Sequence, residues 1–215
     1  MKSVTFYFDF ISPYSFLASQ LIERVPAYRE IPFEYRPVVF GSMLAKLGAK
    51  GPGEIPSRRR IGLQDLILLC QHYELPLEGP PTQPFNSVYA ARSVCAVEDH
   101  EKRGELMRLY FRKAWSEGAN LEDLDVLRAC LAELGIDQDP DEASSRRECR
   151  AELKANTKQA LDQDAWGVPT FVVDDLIFFG HDRLGLLRAY LDEYLHQDPE
   201  KLRELLARPQ PGRLT

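Results

Sequence analysis

Four cysteines, four histidines and one Ser-Pro step frame the chemistry open to this chain. Cys70, Cys95, Cys130 and Cys149 are widely spaced, with no CxxC pair and no metal-like clustering with histidine. Each lies in a helix-like context, as in Leu68-Leu69-Cys70, and reads as a buried, inert thiol of a reducing compartment. Ser12 is different. An apolar, aromatic run stops at Ser12-Pro13, and Tyr14, Leu17, Leu21 and Val25 then recur at helical spacing. A hydroxyl at that place either caps the helix or donates a hydrogen bond to negative charge that the helix dipole favours. Two further spots carry charge at expected helix starts, Arg58-Arg59-Arg60 and Asp182-Arg183.

These residues need elements to position them. Residues 2–9, rich in Val, Thr, Phe and Tyr, read as a strand, and the helix after Ser12 leads to a second strand over 33–39. Pro37 marks that second strand as an edge or a bulge. From about 42 to 165 the pattern turns helical, interrupted by loop signals at Gly51-Pro52-Gly53 and Glu78-Gly79-Pro80-Pro81. Arg58 to Glu74 carries Leu63, Leu66, Ile67, Cys70 and Tyr73 on one side, and helices are expected over 87–101, 103–116 and 141–165. Asn120 is the expected N-cap of a helix that stops at Gly135. Strand signal returns over 169–173 and 176–179 around an Asp174-Asp175 turn, and Asp182 stands where it would cap a last helix through Leu184, Leu187 and Leu191. The expected fold is α/β: a discontinuous small-sheet domain over 1–41 and 166–206, an α-helical insertion over 42–165, and a frayed tail over 207–215.

The 215 residues are 44% hydrophobic and 28% charged, ordinary globular material able to bury a core. A formal net charge of -6 argues against nucleic acid and anionic membrane as partners, since both favour basic surfaces. No apolar run approaches the roughly 18 residues needed to span a bilayer. Asp9 and Pro13 interrupt the apolar N-terminus, unlike a secretory signal, so a cytoplasmic protein is expected.

Three stretches, in order, match a known pattern: Phe8-Asp9-Phe10-Ile11-Ser12-Pro13-Tyr14-Ser15, Gly167-Val168-Pro169-Thr170-Phe171, and Phe179-Gly180-His181-Asp182-Arg183-Leu184. Together they resemble the DsbA-like thioredoxin superfamily, and within it the 2-hydroxychromene-2-carboxylate isomerases and kappa-class glutathione transferases. The resemblance covers nearly the whole chain and implies a thioredoxin-like domain with a large α-helical insertion, a glutathione cofactor and a homodimer.

The resemblance also implies roles. Ser12 takes the place of the first cysteine in redox relatives, and Ser12-Pro13-Tyr14-Ser15 leaves no dithiol to oxidise. Its hydroxyl would hold the glutathione thiolate. Lowering a thiol pKa by about two units takes roughly 2.7 kcal/mol, within reach of a hydroxyl donor plus a helix dipole. Pro169 is expected to be cis, with Val168 pairing with the cysteinyl backbone of glutathione. Asp182 and Arg183 fall at the γ-glutamyl corner, where His181 departs from the Ser or Asn usual in relatives. Arg58 stands at a family lysine position and is a candidate for a carboxylate, although three successive arginines are also a common solvated helix start. Phe85, Asn86 and Arg92 match a family segment facing the second substrate, and Ala49 lies near a place where many relatives have Asn. Trp166 is either an aromatic wall or core.

The implied reaction converts 2-hydroxychromene-2-carboxylate to trans-o-hydroxybenzylidenepyruvate, an intermediate of aromatic degradation. Thiolate addition makes the conjugated double bond single, rotation follows, and elimination restores it. Glutathione transfer remains open as an alternative, as does a non-catalytic glutathione or peptide binder. A thiol–disulfide oxidoreductase is disfavoured by the missing CxxC.

Overall fold

A computed structural model describes residues 2–209. Both ends of the chain supply the sheet. Strand β1 (Val4–Phe8) leads into helix α1 (Pro13–Arg24), a short α2 (Pro26–Arg29) and strand β2 (Phe33–Pro37). Seven helices follow: α3 (Phe40–Leu47), α4 (Pro56–His72), α5 (Val88–Cys95), α6 (His100–Phe111), α7 (Leu124–Glu133), α8 (Pro140–Ser145) and α9 (Arg147–Asp162). The hairpin β3 (Thr170–Val173) and β4 (Leu176–Phe179) then returns the chain to the sheet, followed by α10 (Leu184–Leu191) and α11 (Pro199–Leu206).

The strand order is β2-β1-β3-β4. β1 runs parallel to β2, with Phe6 opposite Tyr35, and antiparallel to β3, with Phe6 opposite Phe171. β2 is therefore an edge, as Pro37 requires of a residue without an N–H to share. Alternation on β1 and β3 divides the interior into two faces. Phe6, Phe8 and Phe171 join α1 and the inserted helices in one continuous core that includes Phe111, Trp115 and Leu127. Tyr7 and Val172 meet Met43, Ala160 and Ala165 on the opposite face.

Several local expectations shift. β1 is shorter than residues 2–9, and β2 stops at Pro37 rather than Val39 because α3 begins at Phe40. The span 87–101 is helical only to Cys95, and the next helix starts at His100 behind an Asp99 cap. Its end is wound as a π turn over Arg112–Ser116. The expected 141–165 helix is two, because Arg146 is extended between α8 and α9. Asn120 is not the N-cap of α7. That role belongs to Asp123, whose carboxylate accepts from the N–H of Asp125, while the Asn120 side chain accepts from Glu122 in the preceding turn. Gly135 is the stop, at φ 61°.

On α4 the packed stripe is narrower than its apolar residues suggest. Leu66 and Cys70 are buried and Tyr73 packs beside them, but Leu63 and Ile67 stand exposed. Helix α11 was not apparent in the sequence and buries none of its residues. The expected tail at 207–215 lies outside the described residues beyond position 209. No described helix is long and apolar enough to cross a membrane.

Candidate active site

β1 ends one residue before the turn that carries the site. The N–H of Ser12 donates to the carbonyl of Asp9 at 3.0 Å, and Pro13 then occupies the first position of α1. Every residue of this turn is held from another part of the molecule. The Asp9 carboxylate accepts from the Ser87 hydroxyl at 2.6 Å and the Phe40 N–H at 2.8 Å. Trp115, presented by the π turn, donates its indole N–H to the Phe10 carbonyl at 2.9 Å. Gln83 donates to the Ile11 carbonyl at 3.3 Å. The Ser12 hydroxyl donates to the Val168 carbonyl at 3.3 Å. Burial pushes the Asp9 carboxyl up, and the Ser87 hydroxyl and nearby backbone N–H groups oppose that shift.

Ser12 is buried, with extended backbone, and its oxygen accepts from the Ser15 N–H at 3.1 Å. It is thus the N-cap of α1 and also points its proton across the fold to Val168. The two readings of Ser12 are compatible. Ser15, at the second cysteine position of redox relatives, is fully buried and its hydroxyl has no hydrogen-bond partner among the described residues. The four cysteines lie far along the chain, each buried and free, in α4, α5, α7 and α9. Burial pushes the Cys70 and Cys130 thiols up to about 11 and raises Cys95 and Cys149 as well. Burial thus disfavours the thiolate at all four.

The Val168–Pro169 bond is cis. Val168 precedes β3, so its N–H makes no ladder bond and has no partner among the described residues, while its carbonyl meets only the Ser12 hydroxyl. Val168 therefore carries a backbone donor unpaired among the described residues and an acceptor held only by one long bond of 3.3 Å.

The third stretch reaches the same corner. His181–Arg183 forms a 3-10 turn against α1, where the His181 ring stacks on Tyr14 with centroids 5.4 Å apart. The Tyr14 hydroxyl donates to Asp65 of α4 at 2.8 Å, and burial with this bond pushes Tyr14 up to about 12. Burial lowers the His181 pKa against the opposing pull of Asp182 and Asp65. Asp182 does not cap α10 with its side chain. The 3-10 turn intervenes, Arg183 takes the N-cap position, and the Asp182 carboxylate pairs with Arg183 at 2.8 Å in solvent.

The substrate-side candidates disperse. Arg58 lies exposed in the first turn of α4, seven residues before Asp65 and hence on the same helix face, roughly 10 Å away along the axis. Phe85 packs in the main core. Asn86 is exposed, and its side chain accepts from the Val88 N–H. Arg92 ties α5 to α8 through the Ser144 carbonyl at 3.0 Å and hydroxyl at 3.1 Å, so its charge serves helix packing. Trp166 is 58% exposed and its ring lies beside that of Phe179, so it is a surface residue and not core. A cleft of about 600 Å³ beside β2, lined by Glu34, Arg36, His100, Arg103, Glu152 and Asn156 among others, includes none of these residues.

Sequence reasoning missed the supports. Asp9 was visible as a charge inside an apolar run, but Ser87, Gln83, Trp115 and Asp65 act at long separations that no local pattern encodes.

A Ser-Pro helix start facing a cis-proline across β1 and β3 is the arrangement of thioredoxin-type folds. The DSBA-like thioredoxin domain model matches residues 3–192. The chain belongs to that family. A 2-hydroxychromene-2-carboxylate isomerase of Sphingobium xenophagum is 29% identical over 193 residues, covering 88% of this chain and 98% of the relative. Glutathione S-transferase kappa 1 of Caenorhabditis elegans is 25% identical over 212 residues, covering 90% and 92%. A solved 2-hydroxychromene-2-carboxylate isomerase superposes with a TM-score of 0.82 at 21% identity, covering 96% of this chain and all of that one. These likenesses run through the helical block as well as the sheet, so this DSBA-like protein shares the whole architecture and not the thioredoxin unit alone.

Proposed function

We propose that this DSBA-like protein is a glutathione-dependent isomerase acting on conjugated, carboxylated aromatic-degradation intermediates of the 2-hydroxychromene-2-carboxylate type. The observation that carries the reading is the pairing of Ser12 with Val168: a hydroxyl on a helix N-terminus beside a backbone N–H and carbonyl that have no other partners among the described residues.

That corner suits glutathione. Val168 offers the donor and acceptor that an extended peptide needs, and the exposed Asp182 carboxylate suits an amine. Its pair with Arg183 is solvent-exposed, and exchange for a ligand ammonium costs little. When bound, glutathione supplies a thiol that adds to the conjugated double bond, permits rotation and leaves again unchanged.

The residues of the chain do the rest. The Ser12 hydroxyl turns from the Val168 carbonyl, a long bond of 3.3 Å, to donate to negative charge on sulfur. The first turn of α1 adds its dipole, and Pro13 leaves one fewer backbone donor there to compete. Asp9, Trp115 and Gln83 hold the turn so that the hydroxyl does not drift. Arg58 is the cation that would receive a substrate carboxylate. Buried cysteines and Ser15 leave no dithiol, which weighs against disulfide exchange.

A kappa-like glutathione transferase is the second reading, favoured by the kappa relatives. Product analysis separates the two: recovered glutathione with an isomerised alkene for one, a stable thioether for the other. Calorimetric titration of reduced glutathione tests the shared premise. Saturable binding with proton release, lost in Ser12→Ala, is expected. No binding up to about 10 mM would remove the glutathione reading.

A further inference from the structure

The Trp166–Phe179 pair stands apart from the core clusters, and neither ring is among their members. Trp166 is 58% exposed, and its ring lies 4.1 Å from that of Phe179. Phe179 ends the edge strand β4, opposite Thr170, and Ile177, 39% exposed, stands two residues earlier on the same face. Gly167 makes room for Phe179 beside the backbone: a Cβ there would come 2.8 Å from Phe179 Cε2. The rings therefore form an apolar ledge fixed from below by a close approach of backbone.

The ledge is close in the chain to the proposed reacting corner. Trp166 precedes Val168 by two residues, at most about 7 Å of chain, and the Val168 carbonyl is 3.3 Å from the Ser12 hydroxyl. We infer that Trp166 and Phe179 form a stacking subsite for the planar aromatic ring of the second substrate, separate from the groups that hold the tripeptide. The inference deepens the proposed function and rests on its placement of the reacting thiol at Ser12. The substrate class follows from the surface: an exposed indole face, with no charged partner among the described residues, favours a flat aromatic ring over a saturated one of the same size.

The test is calorimetric titration of 2-naphthoate and of its saturated analogue decahydro-2-naphthoate, with and without glutathione. Wild-type protein is expected to bind naphthoate and to bind the saturated acid at least fivefold more weakly. Trp166→Ala should weaken naphthoate about five- to tenfold, Trp166→Phe should retain most of the affinity, and glutathione binding should be the same in all. Gly167→Ala, which displaces Phe179 and leaves Trp166 in place, should also weaken naphthoate. Because Trp115 is buried, acrylamide quenching of indole fluorescence reports mainly Trp166 and should fall on binding. Equal naphthoate affinity in wild type and Trp166→Ala overturns the ledge, as does no binding to wild type up to about 10 mM. A change in oligomeric state in Trp166→Ala with unchanged naphthoate affinity also overturns it, in favour of an edge-strand contact between proteins. Trp166-dependent naphthoate binding without glutathione binding keeps the ledge and removes the glutathione reading.

Discussion

The Ser12 hydroxyl lies 3.3 Å from the Val168 carbonyl, although 156 positions separate them in the chain. Parallel β1 and antiparallel β3 bring the end of the first strand and the start of the third to the same end of the sheet. A side-chain donor on a helix start thereby meets a backbone segment that no strand has claimed.

The first prediction concerns that donor. Ser12→Ala should lower kcat about 100-fold or more while glutathione affinity changes little, because the hydroxyl acts on developing charge. It should also cost about 1 kcal/mol of stability through loss of the cap to Ser15. Steady-state kinetics with urea unfolding measures both, and unaltered kcat would sink the assignment.

Tyr14 and Asp65 join α1 to α4 at 2.8 Å. Tyr14→Phe keeps the ring on His181 and deletes only this bond. A destabilisation of ~0.5–1 kcal/mol is expected, small because Asp65 is exposed. Hydrogen exchange should show faster opening of α4 with the sheet unaffected. Uniform acceleration everywhere would argue that the bond is not a local tie.

His181 predicts a pH dependence. Its folded pKa is lowered by burial, so near and below the ordinary value of about 6.5 the unfolded chain binds a proton that the folded protein resists. The stability it contributes is present above that value and is lost as pH falls through it toward the lowered folded pKa. Wild type should therefore lose more stability than His181→Phe between pH 7.5 and 5. Equal loss, measured by urea unfolding at the two pH values, would show that His181 is not the titrating group.

The cysteines should be silent. With Cys70 and Cys130 pushed up to about 11 and all four buried, Ellman's reagent at pH 8 should find almost no thiol in the folded protein and four after denaturation. Rapid labelling of the native state, or reduction of insulin disulfides, would return the oxidoreductase reading to consideration.

Much of the site was legible in local patterns. Ser12-Pro13 before a helical spacing, Val168-Pro169 before a strand and the absence of CxxC are short-range features, and short-range sterics and capping obey them in almost any context. Gly135 stops its helix for the same reason. Legibility failed where two local solutions compete. Asn120 and Asp123 are both good caps, and the chain's path decided for Asp123. Asp182 had the right residue type, but a 3-10 turn displaced it from the cap.

The sequence by itself determined the family, the order of elements, the missing dithiol and the identity of the residue at the helix start. Only the tertiary structure decided what each candidate side chain touches. Phe85 went to the core, Arg92 to α8 and Trp166 to the surface, although all three looked equally available in the chain. The physical reason is separation. Capping and turn geometry act within a few residues, whereas the contacts of Ser12 with Val168, Phe10 with Trp115 and Asp9 with Ser87 exist only after the sheet and the inserted helices have packed.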